Sequence, residues 1–292
     1  MKFAVSSYSY AQLTGSGEYA ELQLPALAKE MGFDFIEFAD IHAPEGEDKK
    51  EYAARLREAC EKAGVPAVCY SIGANFAGGG DAAKREIERI QKEVDIASTL
   101  GCRLMRHDVA YGVPDEEKPL HYGFDQILPR LIEGCRAVTE YAETKGVRTM
   151  SENHGYFCQE SLRVERLVTG VAHPNYGLLL DVGNFLCADE DPSLAFGRLA
   201  PYAFHLHAKD FHVKSGNGVA PQGGFFTSRA GNYLRGAIIG HGDAPVLQCL
   251  KILKAAGYEG CATVEFEGME EAKTGVRLGL ENLKYLSELA GF

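Results

Sequence analysis

Four successive apolar segments of the sequence each end in a carboxylate or a histidine. These end residues are Glu152, Asp181, His207 and Glu265. Because every second side chain of a strand points to the same face, the four can project inward together while apolar neighbours such as Leu180 point outward. Three carboxylates cannot share a poorly hydrated pocket unpaired, since repulsion and desolvation would raise their pKa values. A divalent cation resolves this, and the oxygen and nitrogen ligands suit Mn, Mg, Co or Zn.

A simpler interpretation is open for each of these residues taken singly. An acid at the end of a strand can cap the following helix or pair with a lysine or an arginine. The metal interpretation rests on the agreement of four consecutive segments. It predicts one bound divalent ion, with Mn favoured.

Two further side chains share the inward face of these segments, each two residues beyond a predicted ligand. They are His154 and Lys209. We expect His154 to contact substrate or relay a proton, and Lys209 to stabilise an enolate or to act as an acid. The alternative for Lys209 is a salt bridge to Glu267 or Asp210.

Other polar residues are candidates for substrate binding. His107 ends the fourth segment and could contact substrate beside the metal, although a structural histidine is an equal alternative. Arg229 and Arg235 lie in a glycine-rich stretch that runs into the turn 240–243. Arginines suit a phosphate or carboxylate, and a glycine-bearing turn before a helix suits the same anion. Arginines in loops are often simply solvated, so anion binding by Arg229 and Arg235 has a simpler alternative too.

The elements that must position these residues repeat along the chain. Five times an amphipathic helix is followed by a glycine and an apolar strand, at Gly32, Gly64, Gly101, Gly146 and Gly257. Glycine suits a left-handed helix terminus because it has no Cβ. The predicted strands are 2–7, 35–39, 67–71, 103–107, 148–152, 177–181, 203–207 and 262–266.

Eight apolar strands alternating with helices in 292 residues predict an α/β fold, a single (β/α)8 TIM barrel over 1–292. A doubly wound open sheet is the alternative. No linker or change of composition marks a second domain. A glycine-rich insertion over about 210–243, after the seventh strand, is expected to form a long loop that caps the site.

The composition narrows the class of protein further. The formal net charge of −11 argues against a nucleic-acid or anionic-membrane surface, since both need a basic stripe. The eight cysteines form no CxxC pair, so we expect small buried thiols in a reducing compartment. A secretory signal pattern and an apolar run of about 20 residues are both absent, and a cytoplasmic protein is expected.

The order of the four end residues resembles that of the xylose isomerase-like barrel superfamily, over essentially the whole chain. The segments that carry the resemblance are Glu152-Asn153-His154, Asp181-Val182-Gly183-Asn184, His207-Ala208-Lys209-Asp210 and Val264-Glu265-Phe266-Glu267. The superfamily holds sugar and sugar-phosphate isomerases, ketose 3-epimerases, inosose and dehydroshikimate dehydratases, and the endonuclease IV repair enzymes. The resemblance implies that Glu152, Asp181, His207 and Glu265 are the metal ligands.

The resemblance also implies catalytic roles. In the ketose 3-epimerases the two glutamates exchange the proton on opposite faces of the substrate, which carries over to Glu152 and Glu265. Those epimerases usually have a histidine, contacting a substrate oxygen, where this chain has Asn184. An amide can hydrogen-bond a hydroxyl group but cannot titrate near neutrality. This departure leaves room for isomerase, dehydratase or eliminase chemistry. Endonuclease IV fits this chain badly, because that enzyme needs more histidines and a basic face for DNA.

The predicted function is a divalent-metal-dependent isomerase or epimerase of a sugar or sugar phosphate, which abstracts a proton beside a metal-polarised carbonyl. A lyase in the same site is the alternative, either a keto-cyclitol dehydratase or a 3-keto-glycoside or C-glycoside eliminase. An alternative of another class is a non-catalytic metal- and ligand-binding subunit of a complex. The expected partner is a small-molecule sugar, without nucleic acid or membrane, and the resemblance allows a homo-oligomer.

Overall fold

Eight parallel strands form a closed barrel in the computed structural model, which describes residues 1–292. The barrel strands are β1 (Phe3–Ser6), β2 (Phe35–Ala39), β3 (Ala67–Ile72), β4 (Leu104–His107), β5 (Arg148–Glu152), β6 (Tyr176–Asp181), β7 (Ala203–Ala208) and β11 (Ala262–Val264). They pair in chain order, and β11 closes the ring between β7 and β1. The predicted (β/α)8 barrel is confirmed, and the open sheet is excluded.

Helices follow the barrel strands and cover the barrel from outside. They are α1 (Ala11–Gly15), α2 (Leu24–Glu30), α3 (Lys49–Ala63), α4 (Gly80–Leu100), α5 (Phe124–Glu143), α6 (Ser161–Val171), α7 (Asn184–Cys187), α8 (Pro192–Leu199), α9 (Val246–Ala255) and α10 (Ala272–Leu289). All five predicted junction glycines have positive φ, including Gly101 after α4 at +84°. Only glycine adopts that backbone conformation without strain, so it ends these helices. None of the helices has the length and apolarity needed to cross a membrane.

The two faces of the barrel strands have different surroundings. Outward side chains such as Leu180 and Leu206 are fully buried in the core between barrel and helices. Inside the barrel, Cys69, Met150 and Leu179 form a small apolar cluster. Two residues further along β5 and β6 the inward positions turn polar, because side chains two apart share a face. On these two strands the polar end of the barrel therefore lies above apolar side chains.

The insertion after β7 differs from the loop expected from the sequence. It contains a three-stranded antiparallel sheet formed by β8 (Asp210–Lys214), β9 (Phe226–Thr227) and β10 (Tyr233–Ala237), with β10 in the middle. Phe211 and Leu234 of this sheet are buried against Cys187. The glycine content suggested a loop, but the pairing of β8 with β10 is long-range and leaves little local signal.

Candidate active site

Four side chains from consecutive barrel strands meet at the carboxyl end of the barrel. Glu152 ends β5, Asp181 ends β6, His207 lies in β7, and Glu265 directly follows β11. One ligand atom of each lies within 4.8 Å of those of the others. His207 Nδ1 is 3.3 Å from Glu265 Oε2 and 3.9 Å from both Glu152 Oε1 and Asp181 Oδ2. The structure thus brings the four predicted ligands together.

Two of these ligand atoms, Asp181 Oδ2 and His207 Nδ1, are buried and have no hydrogen-bond partner. The other side of each group is held. The Asn184 N–H donates to Asp181 Oδ1 at 2.7 Å, and His207 Nε2 lies 2.9 Å from the Glu37 carboxylate. Because an unpaired buried polar atom is costly, an oxygen and a nitrogen facing one point indicate a ligand site. Three carboxylates and an imidazole fit a divalent cation there.

Burial and charge shape the electrostatics of this set. Burial, together with the Glu152 and Glu265 carboxylates, raises the pKa of Asp181 to about 7. At Glu265 burial also raises the pKa, but the charges of Lys209 and His207 outweigh it and hold that pKa well below its ordinary value. The chain's own cations therefore stabilise the charged form of Glu265 fully and that of Asp181 only in part. A divalent ion is the countercharge that would stabilise all three.

Lys209 lies beside the acidic set. Its ammonium is 2.7 Å from Glu265 Oε2 and 3.9 Å from Glu267. Asn184 connects it to the opposite side of the site, because the Lys209 ammonium donates to the Asn184 side-chain oxygen at 3.2 Å and the Asn184 amide donates to Glu152 Oε1 at 2.8 Å. Asn184 itself is buried, with 3% of its surface exposed. Asn184 thus bridges two predicted catalytic residues, and its contact with substrate stays a prediction.

A second cation holds Glu152 from another side. Arg106 of β4 is buried, and its Nη2 lies 2.5 Å from Glu152 Oε2 and 2.7 Å from Asp108 Oδ1. Asp108 also lies 2.9 Å from His154 Nδ1. Burial lowers the pKa of His154, but the hydrogen bond to Asp108 and the charges of Glu152 and Asp108 together outweigh burial, and the pKa is raised. His154 is thus an oriented, basic imidazole.

These groups line a cavity of about 300 Å³ at the carboxyl end of the barrel, a volume that suits a small ligand. All four predicted catalytic residues reach it, namely Glu152, His154, Lys209 and Glu265. Tyr8, Asp40 and Glu267 are also among its lining residues. Asp40 has a φ of +47°, which is uncommon for a residue other than glycine and is often found at functional sites.

His107 points away from this cavity, so its predicted substrate contact is corrected. It is fully buried, its ring packs edge-on against Phe76 at 5.6 Å, and its Nδ1 is 2.8 Å from the backbone oxygen of Asp108. Because alternate residues of β4 face opposite sides, Arg106 faces inward and His107 faces the helices. Burial lowers the pKa of His107 to about 4. The structure supports the alternative of a neutral structural histidine.

The two arginines predicted to bind a substrate anion lie outside the cavity lining. Arg229 pairs with Glu160 at 2.9 Å and donates to the backbone oxygen of Tyr156. Arg235 lies on β10, with the Glu270 carboxylate 4.0 Å from its guanidinium. Sequence could not separate these two arginines from substrate-binding ones, because their acidic partners are distant in the chain.

The glycine turn before α9 is also engaged from within the chain. The carboxylate of Asp210 accepts the N–H groups of Gly240, Gly242 and Ala244 at distances of 2.8–3.0 Å. Asp210 is 1% exposed. The anion that this turn binds is therefore a side chain of the protein itself, and the turn is structural.

Glu37 and Arg106 are not among the residues predicted from the sequence. Glu37 is the one charged residue of the otherwise apolar strand β2, and Arg106 follows Leu104 and Met105 in β4, ahead of His107. A charge buried without a partner is costly, so a charge in such a strand indicates a buried polar network. That signal was present in the sequence for both residues.

A closed parallel barrel with carboxylates and a histidine converging at its strand ends defines a (β/α)8 barrel protein with a site in its mouth. The sequence profile of the xylose isomerase-like TIM barrel family matches residues 25–286. The chain belongs to this family, and the resemblance identified from the strand ends is confirmed.

Two relatives illustrate the range of activities among similar sequences. An inosose dehydratase of Geobacillus thermodenitrificans is 26% identical over 164 residues, which are 55% of this chain and 54% of that protein, so the match spans about half the length of the relative. An L-ribulose-5-phosphate 3-epimerase, UlaE, of Shigella boydii is 24% identical over 255 residues, 82% of this chain and 79% of the relative. Similar sequences thus include a dehydratase and an epimerase.

Solved structures share the fold at low sequence identity. The probable 3-DHS dehydratase AsbF of Bacillus anthracis superposes with a TM-score of 0.73 at 17% identity, covering 97% of this chain and 99% of that one. A xylose isomerase-like TIM barrel protein of Mycobacterium smegmatis, in complex with magnesium, gives a TM-score of 0.68 at 16% identity, covering 92% and 89%. These likenesses support the fold of the whole chain.

Proposed function

We propose that this chain is a divalent-metal-dependent isomerase or epimerase of a sugar or sugar phosphate. The observation that carries the proposal is the convergence of Glu152, Asp181, His207 and Glu265, two of whose buried ligand atoms have no hydrogen-bond partner. Glu152, His207 and Glu265 line a cavity together with Lys209. These four residues would hold one divalent ion, with Mn favoured and Mg, Co or Zn as alternatives. The magnesium in the Mycobacterium smegmatis relative supports a divalent ion in this family.

A bound divalent ion supplies Lewis-acid polarisation of a carbonyl oxygen. The residues of the chain would do the rest. Glu152 and Glu265 line the cavity and would remove and return the proton of the carbon next to the carbonyl. Arg106 and Asn184 each hold one oxygen of Glu152 and keep it oriented. Lys209 would stabilise the charge that develops on the substrate oxygen.

A lyase in the same site is the second candidate, and two observations favour it. Asn184 stands where those epimerases usually have a histidine, and its side chain is hydrogen-bonded to Glu152 and Lys209. His154, oriented by Asp108, adds a cavity-lining acid that could protonate a leaving hydroxyl group. The dehydratases among the similar proteins support this candidate.

Proton exchange in D2O tests the proposal. Pentoses and hexoses in their ketose forms, with and without phosphate, and keto-cyclitols are incubated with the Mn-loaded protein and followed by NMR. We expect deuterium at the carbon next to the carbonyl, with a new isomer for an isomerase or epimerase and loss of water for a lyase. Exchange should disappear in Glu265→Gln. Binding of a sugar without any exchange would contradict both candidates and would favour a non-catalytic subunit.

A further inference from the structure

The cavity is lined by more acids than fixed cations. Its charged residues, histidines aside, are Asp40, Glu152, Glu265, Glu267, Arg106 and Lys209. Both cations are buried and already paired, Arg106 with Asp108 and Glu152, and Lys209 with Glu265. A divalent ion bound by the acidic set would bring this lining close to neutrality and would not make it positive. His154 is also paired, because its Nδ1 lies 2.9 Å from Asp108 Oδ1.

Glu267 is the acid of this lining with the fewest partners. It lies two residues beyond Glu265, and both side chains line the cavity. Its carboxylate makes no hydrogen bond, and its one ion-pair contact is the Lys209 ammonium at 3.9 Å. Tyr8, which is 48% exposed, also lines the cavity. A free carboxylate and an open aromatic ring suit the hydroxyl groups and C–H faces of a sugar.

The cations that contact the cavity lining from outside are also paired. The Lys49 ammonium lies 2.9 Å from Asp40 and 3.0 Å from Glu93. Arg89 donates to Glu86 at 2.7 Å and to a backbone oxygen of the lining. The arginines and the glycine turn that could have bound an anion lie elsewhere and have partners, as described above. No unpaired cation therefore faces the cavity.

We propose that the substrate of this cavity is an uncharged polyhydroxy carbonyl compound rather than a phosphate ester, and that Glu267 determines this selectivity. The inference rests on the proposed function and narrows its substrate class. A phosphate monoester carries a charge of about −1.5 to −2 at pH 7 and is usually bound by arginines or free N–H groups. This lining offers it the Glu267 carboxylate instead, which repels phosphate and accepts the hydroxyl hydrogens of an uncharged sugar.

Equilibrium binding of two polyols tests the inference without turnover. Ribitol and ribitol 5-phosphate have no carbonyl group, so neither can be isomerised, and each is titrated calorimetrically into the Mn-loaded protein. We expect ribitol to bind at least about tenfold more tightly than its phosphate, because of repulsion in the cavity. Glu267→Gln should weaken ribitol binding and narrow this ratio. Glu45→Gln, which removes the same charge from an exposed residue outside the lining, should change neither affinity.

Equal or tighter binding of ribitol 5-phosphate would overturn the inference, as would failure of both polyols to bind. An unchanged ratio in Glu267→Gln would also overturn it. The D2O experiment gives a separate result. Preference for ribitol without proton exchange would reject the isomerase and keep the substrate class, whereas exchange combined with tighter phosphate binding would reject the substrate class alone.

Discussion

The His207 imidazole is held on one side and open on the other. The Glu37 carboxylate lies within 3.0 Å of its Nε2 and also accepts from His205 at 3.0 Å and from the Ser71 hydroxyl at 2.7 Å. At Glu37 burial raises the pKa, but His207 and His205 outweigh burial and lower it, so Glu37 stays charged. When the Nε2–H group donates to Glu37, the lone pair of Nδ1 is left to bind the metal ion.

The variant Glu37→Gln should therefore weaken Mn binding by about 10- to 100-fold, as loss of such an outer partner usually does. Titration calorimetry with the metal measures this directly. Ser71→Ala is the matched control, because it removes another partner of Glu37 without touching His207. Unchanged Mn affinity in Glu37→Gln would show that His207 needs no such support.

Lys209→Met should affect metal binding and turnover in opposite directions. The ammonium lies 2.7 Å from Glu265 and repels a dication bound beside it, so its removal should raise Mn affinity by about tenfold or more. Turnover should fall sharply, because the charge that stabilises the substrate oxygen is lost. Calorimetry and the D2O exchange rate measure the two effects. A variant with weaker Mn binding and full exchange would contradict both assignments.

At the scale of elements, the positions of the strands were predictable from the sequence. Which side chains of a strand point into the barrel was predictable only in part. The predicted bounds of β2 and β5 agree with the structure, and in β6 and β7 an apolar neighbour beside the polar end residue shows which side faces the helices. In β4 Arg106 and His107 are both polar, so the sequence did not distinguish the inward residue from the outward one. The partners of Asp210 could not be found from local pattern either, since they lie some thirty residues along the chain.

Asp210 organises the junction between the small sheet and α9. An asparagine at this position would direct an amide N–H2 toward backbone donors, so Asp210→Asn should lower the free energy of unfolding by about 1–3 kcal/mol. Denaturant titration measures the change. Asp243→Asn is the milder control, because Asp243 accepts only the Val213 N–H and lies in a more exposed position. Equal losses in the two variants would contradict the special role of Asp210.

At the scale of the whole molecule, closure of the barrel is what makes the site. The βα units have local signals, namely an apolar strand, an amphipathic helix and, at five junctions, a glycine, so the fold was predictable from sequence. The closed ring then places successive strand ends at one edge, and the convergence of the predicted ligands follows from the fold. A cytoplasmic location and a homo-oligomer remain predictions.

Burial of all eight cysteines gives a test of the whole fold. Burial raises the pKa of thiols such as Cys135 to about 12, so few thiolates are available for reaction. In a native titration with a disulfide reagent we expect almost no reaction, and after denaturation we expect all eight thiols to react. Rapid reaction of several thiols in the native protein would contradict this packing.

Metal content tests the central claim most directly. Wild-type protein and the double variant Glu152→Gln/Asp181→Asn are incubated with Mn, freed of unbound ion and measured by elemental mass spectrometry, with circular dichroism to verify that both are folded. The site predicts about one divalent ion per chain in the wild type and almost none in the variant. A folded wild-type protein without metal, or a variant that keeps its ion, would contradict the claim that these four residues form a metal centre.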